Sequence, residues 1–237
     1  MENYIYSIEG NIGSGKSTFV KKLQKSLKTI YNCNILYLQE PVDIWETICD
    51  KEGKNIIEKY YDDNKKYAFS FQMMAYISRL VKLKELIQNN TNSIIITERS
   101  LYTDKYVFCK MLYDDDKIEE VNYIIYLKWF DYFIKDIPIS TLIYINTSPI
   151  ICLDRIKKRN RKGENIPLEY LKKCHDYHET FCNDDKFNVL MLNGDIDINN
   201  NDYNDWVDMV KNFIIENSDI KNYHEITMNT IMNHPFF

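Results

Sequence analysis

Residues 10–18 read Gly-Asn-Ile-Gly-Ser-Gly-Lys-Ser-Thr, a complete GxxxxGK[ST] phosphate-binding loop near the start of a 237-residue chain. The spacing follows from its task. Gly10, Gly13 and Gly15 let the backbone turn tightly, so that successive N–H groups face phosphate oxygens. Lys16 reaches the β- and γ-phosphates and the Ser17 hydroxyl can ligate Mg²⁺, while Asn11, Ile12, Ser14 and Thr18 complete the cradle. The flanks fit: Tyr4–Ile8 is strand-like, and the stretch to Thr29 is helix-like with Phe19, Val20, Leu23 and Leu27 at apolar positions. A strand, a glycine-rich turn and a helix in this order begin an α/β unit that binds a nucleoside triphosphate. They leave open what the triphosphate is for.

The rest of the chain continues the alternation. Strands are predicted at Tyr4–Ile8, Ile35–Leu38, Ile94–Thr97, Leu142–Asn146 and Asn188–Leu192, each a nearly continuous apolar run of the kind buried on both faces. Helical patterns fall between them, at Lys16–Thr29, Tyr67–Gln88, Asp104–Leu112, Lys117–Lys135, Pro149–Asn160 and Leu168–Cys182, with a last helix at Asp205–Ile215. The expectation is an α/β fold of the P-loop kinase type: a five-stranded parallel sheet flanked by helices, with a short basic lid. Residues 1–216 are read as one domain with the lid at about 155–167. Residues 217–237 form a tail to which no role is assigned.

A formal charge of −5 argues against a general nucleic-acid surface, and no run approaches the roughly 18 apolar residues that a membrane span needs. No signal or transit peptide is apparent, so a cytoplasmic location is expected, with the six cysteines reduced. Cys174, His175, His178 and Cys182 resemble a metal-ligand cluster. Their spacing fits one helix face poorly, and ordinary helix residues are the better reading.

Ligands in such folds sit at the carboxyl ends of the strands. Glu40, before Pro41, follows the second strand; it can take a proton from a hydroxyl acceptor or be a plain loop acid. Glu98 and Arg99 follow the third strand, where a P-loop enzyme often needs a carboxylate for Mg²⁺ and where an arginine can orient a neighbouring acid; a structural ion pair at the strand end is the alternative. Arg155 and Arg159 share a helix face beyond the fourth strand. With Arg161, and with Gly163 and Pro167 breaking the helix, they fit a basic lid over a triphosphate; a solvated basic face is the alternative. Gln72, Ala75 and Arg79 share a helix face; a Gln amide suits a nucleobase edge, and the pattern alone equally fits an ordinary core helix with a polar stripe. Phe71 and Phe108 can stack on a base.

Several motifs occur together: the loop at 10–18, Glu-Pro-Val-x-x-Trp at 40–45, Phe-x-Phe-Gln at 69–72, Glu-Arg-Ser-x-Tyr-x-Asp at 98–104, Arg-x-x-x-Arg-x-Arg at 155–161 and Ile-Pro-Leu-Glu-Tyr-Leu at 166–171. Their order and spacing resemble the deoxynucleoside kinases, nearest to those acting on deoxycytidine and deoxyguanosine, over about residues 3–215. The resemblance implies transfer of the ATP γ-phosphoryl group to a deoxynucleoside 5′-hydroxyl, with Mg²⁺ as cofactor and a homodimer as the assembly. It implies Glu40 as general base and Arg99 as its holder, with Lys16, Arg155, Arg159 and Arg161 on the phosphates and Ser17 and Glu98 serving Mg²⁺. Trp45, Phe71 and Phe108 would shape the base pocket and Gln72 would read the base edge. Tyr61 and Glu164 would bind the 3′-hydroxyl, and Asn193, Gly194 and Asp195 would contact adenine. Ala75, Arg79 and Asp104 match the deoxycytidine kinase pattern, because thymidine-preferring relatives are apolar where Arg79 and Asp104 stand. The lid departs from the family at Gly163-Glu164-Asn165, and the tail is longer. Two other readings use the same loop: a nucleoside monophosphate kinase of the thymidylate kinase type, and a non-enzymatic nucleotide switch. Glu40 would repel the acceptor phosphate of the first, and the second lacks an Asn-Lys-x-Asp box.

Overall fold

The structure, a computed structural model, describes residues 3–137, 141–161, 164, 166–196 and 202–220. Lys162, Gly163 and Asn165 of the expected lid and residues 221–237 of the tail lie outside them. Five parallel strands form the heart of the molecule: β1 (Tyr4–Glu9), β3 (Cys33–Leu38), β4 (Ile94–Glu98), β5 (Thr141–Asn146) and β6 (Val189–Asn193). The sheet has six strands rather than the expected five: with the short β2 (Thr29–Ile30) it runs in the order β2-β3-β4-β1-β5-β6. The extra strand, β2, is antiparallel to β3. The sequence reading ran a helix to Thr29. Instead α1 (Lys16–Ser26) stops early, and Tyr31 and Asn32 adopt φ of 45° and 68°. Two successive positive φ values make the tight hairpin turn whose twist suits paired strands, a backbone signal that Tyr-Asn does not advertise as Asn-Gly would.

Strand alternation divides the core between the two faces of the sheet. Tyr6, Ile8, Ile94, Ile96, Ile143 and Ile145 pack with Phe19, Val20 and Leu23 of α1 and with Trp206, Val210 and Ile214 of α10 (Asp202–Glu216). Ile5 and Ile95 face the other way, onto Tyr76 and Leu80 of α4 (Asn64–Asn89) and Tyr126 and Phe130 of α7 (Glu120–Phe133). With both faces covered, every strand tip at the carboxyl edge is held by its neighbours.

Two short helices absent from the sequence reading, α2 (Val42–Thr47) and α3 (Ile56–Asp62), line the approach to that edge. For α3 the signal was present: Asn55 and Glu58 form a reciprocal capping box. Between α5 (Leu101–Thr103) and α6 (Lys110–Asp114) the helix widens to a π-helical segment at Asp104–Cys109, where an ordinary helix was expected. Helices α8 (Pro149–Arg159) and α9 (Leu168–Cys182) flank the expected lid in sequence.

Gly13 sets the distance between the phosphate loop and α8. Its φ is +80°, and a Cβ there would stand 2.5 Å from the Cys152 carbonyl oxygen. Gly53 has the same φ of +80° with nothing within 4 Å of such a Cβ. Alanine at Gly53 therefore costs the left-handed backbone penalty alone, roughly 1–2 kcal/mol, whereas Gly13→Ala must also displace backbone. Urea unfolding should place Gly13→Ala at least about 1 kcal/mol below Gly53→Ala; equal midpoints would contradict this packing.

Candidate active site

The carboxyl edge of β1, β3 and β4 opens into a cleft of about 670 Å³. Gly13, Gly15, Lys16, Ser17 and Thr18 form one wall, and Trp45, Tyr61, Phe71, Gln72 and Ala75 another. Between them lie Glu40, Arg79, Glu98, Arg99, Asp104 and Phe108, and Arg155, Arg159, Arg161 and Glu164 lie across the mouth. Residues as distant in sequence as Ser17 and Glu164 thus meet in one space. Tyr60, Tyr170, Val42 and Ile57 also line it and were not singled out from the sequence. The stacking of Tyr60 on Phe71, with ring centroids 4.5 Å apart, depends on α3, which the sequence reading lacked.

Charge is concentrated at the strand tips. Glu40, just beyond β3, accepts from Arg79 Nη2 at 3.0 Å and lies 3.5 Å from Arg99 Nε. Burial pushes the Glu40 carboxyl up, but Arg79, Arg99 and Lys16 outweigh it and hold the group below the ordinary carboxylate value. Arg79 is itself 2% exposed. It donates from Nε to Asp104 at 3.0 Å and from Nη1 to the Glu98 carbonyl at 2.8 Å. Burial works against its charge, and Asp104 and Glu40 more than restore it. One guanidinium therefore ties together the tips of β3 and β4 and the π-helical segment.

Arg99 occupies a left-handed backbone conformation, φ 66°, at the end of β4. A non-glycine residue there stores of order 1–3 kcal/mol, which its surroundings must offset. They do so locally. Arg99 N donates to the Ile8 carbonyl at 3.0 Å, and the next amide, Ser100 N, donates to the buried Glu9 carboxylate at 2.8 Å. The side chain donates from Nη1 to the Gly10 carbonyl at 2.9 Å, and the Phe108 ring lies 4.7 Å from its guanidinium carbon.

Lys16 Nζ donates to the Asn11 carbonyl at 2.6 Å. Burial, with Arg99 as a neighbouring charge, lowers its pKa to about 7, while Glu98 and Glu40 pull the other way. A polyanion at the loop would restore the full charge. The Ser17 hydroxyl donates to Glu98 Oε1 at 2.5 Å. These two hard oxygen donors, side by side at the foot of the loop, match how Mg²⁺ is held: by few protein ligands, with phosphates and waters completing the shell. Among the described residues no group of three or more His, Cys, Asp and Glu could hold a metal, including the segment from Cys174 to Cys182.

On the wall of the cleft opposite the phosphate loop, Gln72 is 3% exposed and its Oε1 has no hydrogen-bond partner among the described residues. A buried, unmatched acceptor is costly unless a ligand donates to it. At the mouth, Arg159 pairs with Glu164 at 2.6 Å, and the negative charge of Glu164 acts on the partly buried Tyr61 phenol. Arg155 donates to the Ser14 carbonyl at 3.2 Å and the Ile196 carbonyl at 2.7 Å. Asn193, Gly194 and Asp195 do not line the cleft. They are stitched beside it, Gly194 N to the Asn146 carbonyl at 2.6 Å and Ser148 N to Asp195 Oδ1 at 2.7 Å.

Because Arg79 is the charge partner of buried Asp104, Arg79→Met leaves that carboxylate uncompensated and should cost about 3–5 kcal/mol. Adding Asp104→Ala removes the orphaned charge and should return much of the loss. A chemical-denaturation series in which the double variant is no more stable than the single one would contradict the pairing.

The family model for deoxynucleoside kinase matches residues 6–215. The probable deoxycytidine kinase of Fowlpox virus is 36% identical over 200 residues, 81% of this chain and 79% of the relative. Deoxycytidine kinase of Mus musculus is 34% identical over 192 residues, 74% of each chain. Mitochondrial deoxyguanosine kinase of Xenopus laevis is 30% identical over 224 residues, 82% of this chain and 83% of the relative. The chain belongs to the deoxynucleoside kinase family.

Proposed function

We propose that this chain transfers the γ-phosphoryl group of ATP to the 5′-hydroxyl of a deoxynucleoside, favouring cytosine and purine bases over thymine. One observation carries the reading most directly. A carboxylate held ionised by two arginines shares a cleft with the phosphate loop on one side and an unmatched amide acceptor on the other.

In this reading the nucleoside lies with its base between Phe71, Phe108 and Trp45 and its edge on Gln72. Tyr61 and Glu164 take the 3′-hydroxyl. Glu40 accepts the proton of the 5′-hydroxyl as the oxygen attacks. Its affinity for that proton is low, so transfer comes late. This suits a loose phosphoryl-transfer transition state, which needs positioning more than a strong nucleophile. Lys16, Arg155, Arg159 and Arg161 stabilise the phosphate oxygens, and Arg99 keeps Glu40 aligned. Ser17 and Glu98 would hold Mg²⁺, which would supply positive charge to stabilise the phosphoryl group in transfer. A monophosphate acceptor would set its own negative charge against Glu40.

Base preference follows from what is left unpaired. The exocyclic amino group of cytosine or adenine is a donor, matching Gln72 Oε1 and the acidic side of the Arg79–Asp104 pair. Thymine presents an acceptor and a methyl group there instead. A site built on buried hydrogen bonds discriminates strongly against a base that leaves them unmade. We also propose a homodimer. Val121, Ile124, Ile125, Trp129 and Tyr132 form an exposed apolar stripe along α7, with Val81 of α4 exposed as well, and Trp129 is 48% exposed. A second copy of the chain would cover it. Among the described residues no helix is long and apolar enough to cross a membrane, and all six cysteines are free. A cytosolic setting suits both.

Glu40→Gln should lower kcat by about 10²–10⁴-fold while changing the KM for nucleoside little. A panel of the four natural deoxynucleosides and deoxycytidine monophosphate should show turnover with deoxycytidine or a purine deoxynucleoside above that with thymidine. Best activity on the monophosphate, or none on any nucleoside, would refute the reading. For the assembly, Trp129→Glu should convert a dimer to a monomer in analytical ultracentrifugation; a wild-type monomer would refute it.

A further inference from the structure

His178 lies on α9, is fully buried, and has no part in the chemistry above. Its surroundings are specific. Nδ1 is 2.6 Å from the carbonyl oxygen of Cys174, one helical turn back, and Nε2 is 3.3 Å from Arg99 Nη1. The ring is parallel to Tyr144 and edge-on to Phe108, at centroid distances of 6.2 and 6.0 Å.

These neighbours choose the proton's place. A carbonyl oxygen only accepts, so Nδ1 must donate. A guanidinium only donates, so Nε2 must present its lone pair. The other tautomer would oppose lone pair to lone pair at one end of the ring and N–H to N–H at the other. An imidazolium would set positive charge against Arg99. Burial, and then the charge of Arg99, hold the group well below the usual imidazole range.

We propose that His178 is a positioning residue for phosphoryl transfer: its neutral ring, oriented by α9, accepts from Arg99 and fixes the guanidinium that aligns Glu40. Arg99 Nη1 has two protons. One goes to the Gly10 carbonyl in the phosphate loop and the other to His178. Its Nε is thereby left towards Glu40, at 3.5 Å. Helix α9 is itself tied to the loop, because Asn11 Nδ2 donates to the Leu171 carbonyl at 2.8 Å. The helix that follows the lid thus reaches the catalytic carboxylate through one imidazole and one guanidinium. The catalytic part of this inference rests on the roles given above to Arg99 and Glu40; the hydrogen bond does not.

Two measurements test it. ¹⁵N NMR of histidine-labelled protein at neutral pH, with His178 assigned by its loss in a variant, should show protonated Nδ1 and bare Nε2. The opposite tautomer or an imidazolium would overturn the proposal, and this holds even if the protein phosphorylates no nucleoside. Kinetically, His178→Leu should lower kcat roughly ten- to hundredfold with the KM for ATP within about twofold. His178→Gln, whose side-chain oxygen reaches the place of Nε2, should restore kcat to within about threefold of wild type. In an Arg99→Lys background the leucine substitution should cost less than about twofold, since the two act as one unit. Equal losses in the leucine and glutamine variants, or an undiminished loss in the Arg99→Lys background, would overturn it. If the leucine variant does not fold, the glutamine variant and the tautomer decide.

Discussion

Two guanidiniums and several carboxylates leave water together at the edge of this sheet, and the cleft depends on that. Moving such charges into a poorly polarisable interior costs several kcal/mol each unless their partners come with them. The arrangement is close to saturated. Arg79 serves Asp104, Glu40 and the Glu98 carbonyl, and Arg99 serves Glu40, Gly10 and His178. What makes this tolerable lies on either side of it. Isoleucines of β1 and β4 divide between two apolar layers, and those of β5 join one of them, so the strand tips are presented by a scaffold with little freedom.

The network also explains why a strained backbone persists. The left-handed turn at Arg99 lets the side chain run back under the phosphate loop instead of continuing along β4. An unstrained extended residue there would point along the strand alternation and miss Gly10. Glu9 holds the next amide and receives the Thr103 hydroxyl, so the end of β1 caps the helix that bears Asp104. Further along, the π-helical segment changes the pitch between Asp104 and Phe108. That lets Asp104 stay beside Arg79 while Phe108 covers Arg99. Local irregularities therefore occur where several long-range contacts converge, a common situation at functional sites.

Much of this was legible in the chain itself. The phosphate loop, the five parallel strands and the long α4 announce themselves through glycine spacing and apolar periodicity, which are local properties. Glu40, Glu98 and Arg99 could be placed at strand tips by rule, and the cleft does gather them. What the chain could not disclose is mutual contact. Nothing local says that Arg79 reaches Glu40, 39 residues away, or that His178 faces Arg99, 79 residues away. As a sequence feature His178 belonged to an unconvincing metal pattern; its meaning comes from where α9 packs. The short β2 and the π-helical widening escaped for a related reason, since each depends on backbone angles that tertiary packing imposes. Helix α3 carries a legible capping box, but its seven residues are too few to build an apolar periodicity.

The mouth of the cleft adds a last constraint. Arg159 and Glu164 are paired to each other, and Arg155 is bound to two carbonyls. None of these donors is idle, so a triphosphate that recruits them must displace a partner of comparable strength. For Arg159 that partner is Glu164, the residue assigned with Tyr61 to the sugar. Drawing Arg159 onto phosphate would leave the Glu164 carboxylate without its cation, and a sugar hydroxyl is a donor that can satisfy it. The two substrates would then be coupled through one ion pair, each lowering the cost of seating the other. Such coupling is reciprocal by thermodynamic necessity: if ATP tightens the nucleoside through Glu164, the nucleoside tightens ATP by the same factor. Because the exchange trades a carboxylate for a phosphate on the same guanidinium, what ATP gains there is the difference between two charge-assisted hydrogen bonds rather than either one alone.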